Sequence, residues 1–321
     1  MGGSRRTASR NRVVVLAGGV GAARFLRGLC SLLDPTRVAV VVNTGDDETF
    51  FGLHISPDLD TVAYTLSGRV GPLGWGVAGD TFACLAALQR YYAQAWFQLG
   101  DADLATHLFR TEQLRAGRTL SQVTGTISER LGVRVRLLPM TDDPVRTRVT
   151  LASVGEVAFQ DYLVRRRGRG RVTGVRYAGA RTARPAPGVL AALRGADRII
   201  LPPSNPIVSI GPILALPGVR RLLARRRARV AAISPLVRGA PIKGPLDRIL
   251  RGLGHEVSAV GVARLYRGLA DVFVLDRHDA DLAPRIAELG MRPLVTDTIM
   301  RSPAASRTLA RKVLAALSGP A

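Results

Sequence analysis

Four aspartates crowd one short stretch of this chain, in Val41-Val42-Asn43-Thr44-Gly45-Asp46-Asp47 and in Pro57-Asp58-Leu59-Asp60-Thr61. Adjacent carboxylates behind a strand-like run, with a glycine that permits a sharp turn, suit a hard divalent cation bound through oxygen, or a general base. The same residues would serve as helix N-caps, because Asp accepts from the free N–H groups of a first turn. Upstream lies Val13-Val14-Val15-Leu16-Ala17 followed by Gly18-Gly19-Val20-Gly21. Glycines there let backbone N–H groups approach an anion at a helix N-terminus. The loop lacks the Gly-Lys-Ser/Thr of a Walker motif and the full dinucleotide spacing, so a tight structural turn is the competing reading. A phosphate-cradling loop followed by two acidic pairs is the arrangement of a nucleotide and metal site, and it points to an enzyme.

Further candidates stand at other loop positions. Gly74-Trp75-Gly76 leads into Asp80-Thr81, where Trp75 either covers a planar ring or anchors the loop. Ser204 and Asn205 sit between prolines behind Arg198–Leu201, as readers of a base or phosphate or as an ordinary Pro-punctuated turn. Lys243, in the next strand-to-helix connection, is a candidate phosphate contact. The four histidines show no metal spacing, and only His54, between the acidic pairs, is placed for a site role.

These residues need a scaffold. Short apolar runs at 13–16, 38–42, 148–151, 198–201, 230–233, 272–275 and 293–295 alternate with helical segments, the pattern of an α/β fold with a Rossmann-like, mostly parallel sheet and helices on both faces. Residues 81–131 read as a helical insertion, packed over the carboxyl ends of the strands. Ligands of such sheets bind there, at the switch point. The chain is expected to be one domain from residue 13 onward, behind a disordered basic tail at 1–12. The Arg/Gly-rich 165–171 reads as a mobile loop.

Composition narrows the class. No apolar run is long enough to span a bilayer, and a cytoplasmic protein without a membrane partner is expected. Cys30 and Cys84, in apolar helical contexts, read as reduced core thiols. The net charge of +22 suggests nucleic acid, but 44 of the 46 basic residues are arginine and aromatics are only 5% of the chain. Single-strand binding needs stacking rings among the cations, so solvated faces are the better reading and no nucleic-acid partner is expected.

Taken together, the glycine loop, Asn43–Asp47, Pro57–Thr61, Gly74-Trp75-Gly76 with Asp80-Thr81, Asp103-Leu104-Ala105-Thr106-His107, Leu137–Asp142, Ser204-Asn205-Pro206 and Ser234-Pro235-Leu236 with Lys243-Gly244 resemble the 2-phospho-L-lactate transferase family. The resemblance covers nearly the whole chain beyond residue 12. It implies an enzyme of coenzyme F-420 biosynthesis that requires Mg2+. Such an enzyme moves a phospholactyl-type group (phospholactate, phosphoenolpyruvate or 3-phosphoglycerate) from a guanosine diphospho donor to the hydroxyl of the deazaflavin Fo, releasing GMP. It further implies that Asp46 and Asp47, with Asp58 or Asp60, hold the metal or orient the Fo hydroxyl, with Asp46, Asp47 and Asp60 catalytic. Gly18, Gly19, Gly21, Asn43, Ser204, Asn205 and Lys243 would hold the nucleotide, and Asp46, Trp75 and Thr81 would contact Fo. A homodimer is expected for a compact enzyme of this size. One departure is that Val77-Ala78-Gly79 supplies no basic residue where some relatives carry one. The alternative is a non-catalytic, nucleotide-sugar-binding regulator of the same fold, although regulators carry an Asp-Gly-Gly-Ser-Ser-Gly type segment where this chain has Gly45–Thr49.

Overall fold

Seven short apolar runs pair side by side, all parallel. They are β1 (Val13–Ala17), β2 (Val38–Val42), β3 (Arg136–Pro139), β4 (Arg198–Leu201), β5 (Val230–Ile233), β6 (Val272–Asp276) and β7 (Arg292–Thr296), in the order β7-β6-β5-β4-β1-β2-β3. The computed structural model describes residues 12–93 and 95–318. The expected basic tail therefore lies outside the described residues, except for Arg12.

Strand β1 shows why the sheet is covered on both faces. Val13, Val15 and Ala17 enter one apolar core, while Val14 and Leu16 enter the other. Alternate side chains of a strand point to opposite faces, so a run that is apolar throughout needs two cores. Helix α1 (Gly19–Cys30) buries Ala22, Ala23, Phe25, Leu26 and Leu29 on one face. It packs beside α2 (Pro57–Leu66) and the C-terminal helix Pro303–Ala316. From β1 the chain winds outward to β2 and β3, then returns to place β4 against β1, Val13 lying opposite both Val38 and Arg198. The strand order thus reverses between β1 and β4, and a ligand crevice is expected beyond their carboxyl ends.

One expected strand belongs elsewhere. Arg148–Leu151 does not join the parallel sheet; it lies within Arg146–Leu151, the middle strand of an antiparallel sheet with Gly155–Ala158 and Val172–Ala178. Its burial alternates residue by residue, which is the mark of a strand with one wet face. Its place in the main sheet is taken by β3, whose two leucines stand between Arg136 and Pro139.

Residues 81–131 contain α3 (Ala83–Leu88), α4 (Asp101–Arg115) and α5 (Leu120–Arg130), with no strand among the described residues. Helix α5 lies along β3 as an ordinary crossover, and α4 rests on the hairpin Glu48–Phe50/Leu53–Ile55. The segment 165–171 is tied at several points, Arg166 Nε donating to Asp161 at 2.6 Å and Arg248 Nη1 to the Gly168 carbonyl at 2.8 Å. Cys30 is partly covered and burial pushes its thiol up to about 12. Cys84 is exposed rather than in the core, because α3 buries only Leu85. No helix among the described residues is long and apolar enough to cross a membrane.

Candidate active site

The loops that leave β1 and β4 are clasped together at the reversal point. Ser204 Oγ donates to the Gly18 carbonyl at 2.9 Å. A Cβ on Gly21 would stand 2.1 Å from the Pro203 carbonyl oxygen, so only glycine admits this approach. Gly19 has φ of +71° and donates its N–H to Asp58 Oδ1 at 2.7 Å. A carboxylate therefore faces the positive end of α1, where a helix favours an anion.

Asn43 fixes the next layer. Its Nδ2 donates to Asp58 Oδ2 at 2.9 Å, and its Oδ1 accepts from the Gly45 N–H at 2.8 Å. Asp47 Oδ2 accepts from Ser56 Oγ at 2.8 Å and lies 3.0 Å from His54 Nε2. Asp46, Asp47 and Asp58 are all buried. Burial and then the charge of Asp58 push the Asp46 carboxyl well above the usual carboxylate range. Burial also raises Asp58, to about 6, with Asp47 adding and the bonds from Asn43 and Gly19 opposing. Three carboxylates are thus crowded out of water.

Four buried oxygens here have no hydrogen-bond partner among the described residues: Asp46 Oδ1, Asp47 Oδ1, Thr44 Oγ1 and Thr147 Oγ1. Buried acceptors are rarely left so. No three carboxylate, imidazole or thiol groups form a ready metal cage among the described residues. Mg2+, however, takes one or two carboxylates and completes its octahedron with water and substrate phosphate. The free oxygens of Asp46 and Asp47 fit that demand.

Asp60 stands apart from this group. Its carboxylate is gripped through both oxygens by the fully buried Arg110 of α4. Arg110 Nη1 also lies 3.2 Å from His107 Nδ1, His107 Nε2 lies 3.2 Å from Asp103, and Tyr64 donates to Asp103 at 2.7 Å. The network bolts α4 onto α2. Asn205 shapes its own loop, Oδ1 accepting from the N–H groups of Ile207 and Val208. Lys243 Nζ donates to the Leu73 carbonyl at 2.6 Å, which ties the Trp75 loop to the loop behind β5. That loop also touches α1, since a Cβ on Gly74 would meet Val20. Thr81 donates to Asp101, while Asp80 accepts from the first N–H groups of α4, so the two aspartates cap α3 and α4 crosswise.

Arg110, Thr147 and Tyr177 belong to the surroundings of this site without having been singled out in the sequence. Thr147 N–H donates to the Gly45 carbonyl at 2.7 Å, and Tyr177 Oη donates to the Ile207 carbonyl at 2.5 Å. Burial and the charge of Asp46 raise the Tyr177 phenol. Signals existed for two of them. Asp103, His107 and Arg110 form a polar stripe at helical spacing, and Thr147 shares the inward face of Val149 and Leu151.

Residues 13–314 match the family model described as 2-phospho-L-lactate transferase CofD. A phosphoenolpyruvate transferase of Streptomyces coelicolor is 45% identical over 94% of this chain and 97% of its own length. The Streptomyces griseus enzyme of that name is 44% identical over the same shares. A 2-phospho-L-lactate transferase of Methanosarcina mazei is 38% identical over 95% of this chain and 100% of its own. Among solved structures, a Bacillus halodurans protein superposes with a TM-score of 0.62 at 18% identity, over 95% of this chain and 99% of that one. At that identity the likeness speaks for the fold alone.

Proposed function

Because the chain belongs to the 2-phospho-L-lactate transferase CofD family, we propose that it transfers a phosphoenolpyruvyl or phospholactyl group from a guanosine diphospho donor to the hydroxyl of the deazaflavin Fo. GMP leaves, and the product is a precursor of coenzyme F-420. The observation that carries the mechanism is the pair of free, buried carboxylate oxygens on Asp46 and Asp47 beside the glycine loop.

Phosphoryl-centred transfer needs charge neutralisation and positioning more than covalent chemistry from the protein. Bound Mg2+ would neutralise the donor's diphosphate and the charge developing in transfer. Asp46 and Asp47 would hold it, with Asp58 as the neighbouring charge. Asp58 and Asn43 hold the glycine loop against the acidic turn, so Gly18, Gly19 and Gly21 can approach the donor by backbone. Ser204, bonded to Gly18, keeps Asn205 and the β4 loop beside that nucleotide. Lys243 supports the Trp75 loop, on which the flat Fo ring would lie near Thr81. Asp60 contributes indirectly, by fixing α4 through Arg110.

The test is a transfer assay. Purified protein with Fo, Mg2+ and each of three donors, guanylylated phosphoenolpyruvate, phospholactate or 3-phosphoglycerate, is expected to yield one F-420 precursor by mass. Phosphoenolpyruvate is the expected arm, since the Streptomyces relatives bear that name. Tighter binding of a UDP-sugar than of GDP, with no transfer from any donor, would move the chain to the regulator reading.

A further inference from the structure

The antiparallel sheet 146–178 reaches the acidic turn at the start of its middle strand. The backbone N–H of Thr147 bonds the Gly45 carbonyl at 2.7 Å, which seats the strand against the residue before Asp46. Thr147 is 2% exposed. The hydroxyl oxygen presses on the same turn, for a Cβ placed on Gly45 would lie 2.7 Å from it. That hydroxyl and the neighbouring Asp46 Oδ1 each lack a hydrogen bond of good geometry among the described residues, yet the hydroxyl lies near enough to the Asp46 carboxyl to oppose the rise of its pKa that burial causes. A hydroxyl is both donor and acceptor, and burying one unused costs stability. A valine would fill the same space at no such cost. Threonine at this spot therefore calls for a role in which its contact with Asp46 is completed.

We propose that Thr147 is a positioning residue for Asp46: its hydroxyl, already beside the Asp46 carboxyl, completes a hydrogen bond to it when a divalent cation is bound and so orients that carboxylate as a ligand. This rests on the cation reading given above. Carboxylates that bind metals are themselves usually hydrogen-bonded, and loss of such an outer partner typically weakens metal binding 10–100-fold. The assignment also gives the antiparallel sheet a part in the site. The sheet delivers one donor to a turn that its own neighbours leave short of donors.

The sign of two measurements separates this from a packing role. Thr147→Val keeps the backbone bond to Gly45 and removes only the hydroxyl. Cation-free Thr147→Val should melt at or above the parent temperature, whereas its Mn2+ affinity, titrated in the presence of GDP by electron paramagnetic resonance, should fall by roughly 10–100-fold. Thr147→Ser should restore the affinity to within a few-fold of the parent. Gly45→Ala, which pushes a methyl against the hydroxyl, should lower Mn2+ affinity in the parent but add little to Thr147→Val. Equal Mn2+ affinity of parent and Thr147→Val would overturn the assignment while leaving the cation reading intact. A valine variant that melts well below both parent and serine variant would show a structural hydroxyl instead. Failure of the parent itself to bind Mn2+ with GDP would overturn the assignment and the cation reading together.

Discussion

Around Asp46 and Asp47 the carboxylates are buried, and Asp47 and Asp58 are held by fixed hydrogen bonds from Ser56, Asn43 and Gly19. Around Trp75 and α3, by contrast, apolar side chains face outward: Tyr91 is 83% exposed, Leu73 61% and Trp75 38%. Nine of the sixteen aromatic residues lie between Phe50 and Phe97, both tryptophans among them. Some of these rings pack on each other, as Phe50 does on Phe97 at 4.2 Å. The contrast teaches a division of labour. The acidic centre is largely built before any ligand arrives. The aromatic flank is not, and a ring that lands there must order side chains as it binds. Chemistry should therefore depend steeply on the first region and recognition gradually on the second.

The sharpest way to break this comparison is Asp46→Asn. Turnover is expected to drop by roughly 1,000-fold, about 4 kcal/mol of barrier. The melting temperature should be equal to the parent's or higher, since a neutral amide replaces an acid whose ionisation burial already disfavours. Steady-state kinetics and calorimetry check both halves, and a melted variant would mean that Asp46 is structural.

Asp60→Ala should do the reverse in kind. It leaves Arg110 buried without its counter-charge, and breaking such a pair costs about 3–5 kcal/mol of stability. Denaturant unfolding measures this. A loss below 1 kcal/mol would show that the α4 network is not the bolt described here.

Proton linkage offers a third test. Asp58 is raised from 3.8 to about 6, so the folded chain holds this proton more tightly than the unfolded chain. The favourable contribution is full below about pH 4 and is lost as pH rises through about 6. The loss is on the order of 3 kcal/mol at 1.36 kcal/mol per unit. The stability of Asp58→Asn relative to the parent should therefore climb between pH 4 and pH 7 and then level off. A flat difference would contradict the burial argument.

The smallest expected effect lies on the exposed flank. Trp75→Ala should weaken Fo binding by about 1–3 kcal/mol, followed by Fo fluorescence, and leave GDP binding nearly unchanged. Equal loss of both ligands would mark Trp75 as an anchor of the loop held by Lys243.

What could be read beforehand divides along physical lines. Continuous apolar runs such as Val13–Ala17 announce a strand with two covered faces, and glycine after such a run announces a tight turn into a helix. Both signals are local, so the parallel core and the loop after β1 were legible. β3 was not, because Arg136 and Pro139 flank only two leucines and dilute the pattern. The four aspartates looked equivalent along the chain. What separates Asp60 from the others is a guanidinium on α4, fifty positions away, and no spacing rule carries that distance. Asn43 and Ser204 were noticed as readers of a ligand, yet each also bonds the protein, through Asp58 and Gly18. Their polarity was visible in the sequence, but what it was directed at depended on tertiary contacts.

The clasp between Ser204 and Gly18 has a consequence for how the protein is made. Its two ends are 186 residues apart. At a synthesis rate of about 5–20 residues per second, roughly 10–40 s pass between the appearance of one end and the other. Through that interval the nascent chain presents the glycine loop and its aspartates without β4, the strand that closes the crevice on its far side. A ribosome pausing before β4 would thus hold a chain that already carries Asp46, Asp47, Asp58 and Asp60 yet lacks the strand against which their loops close.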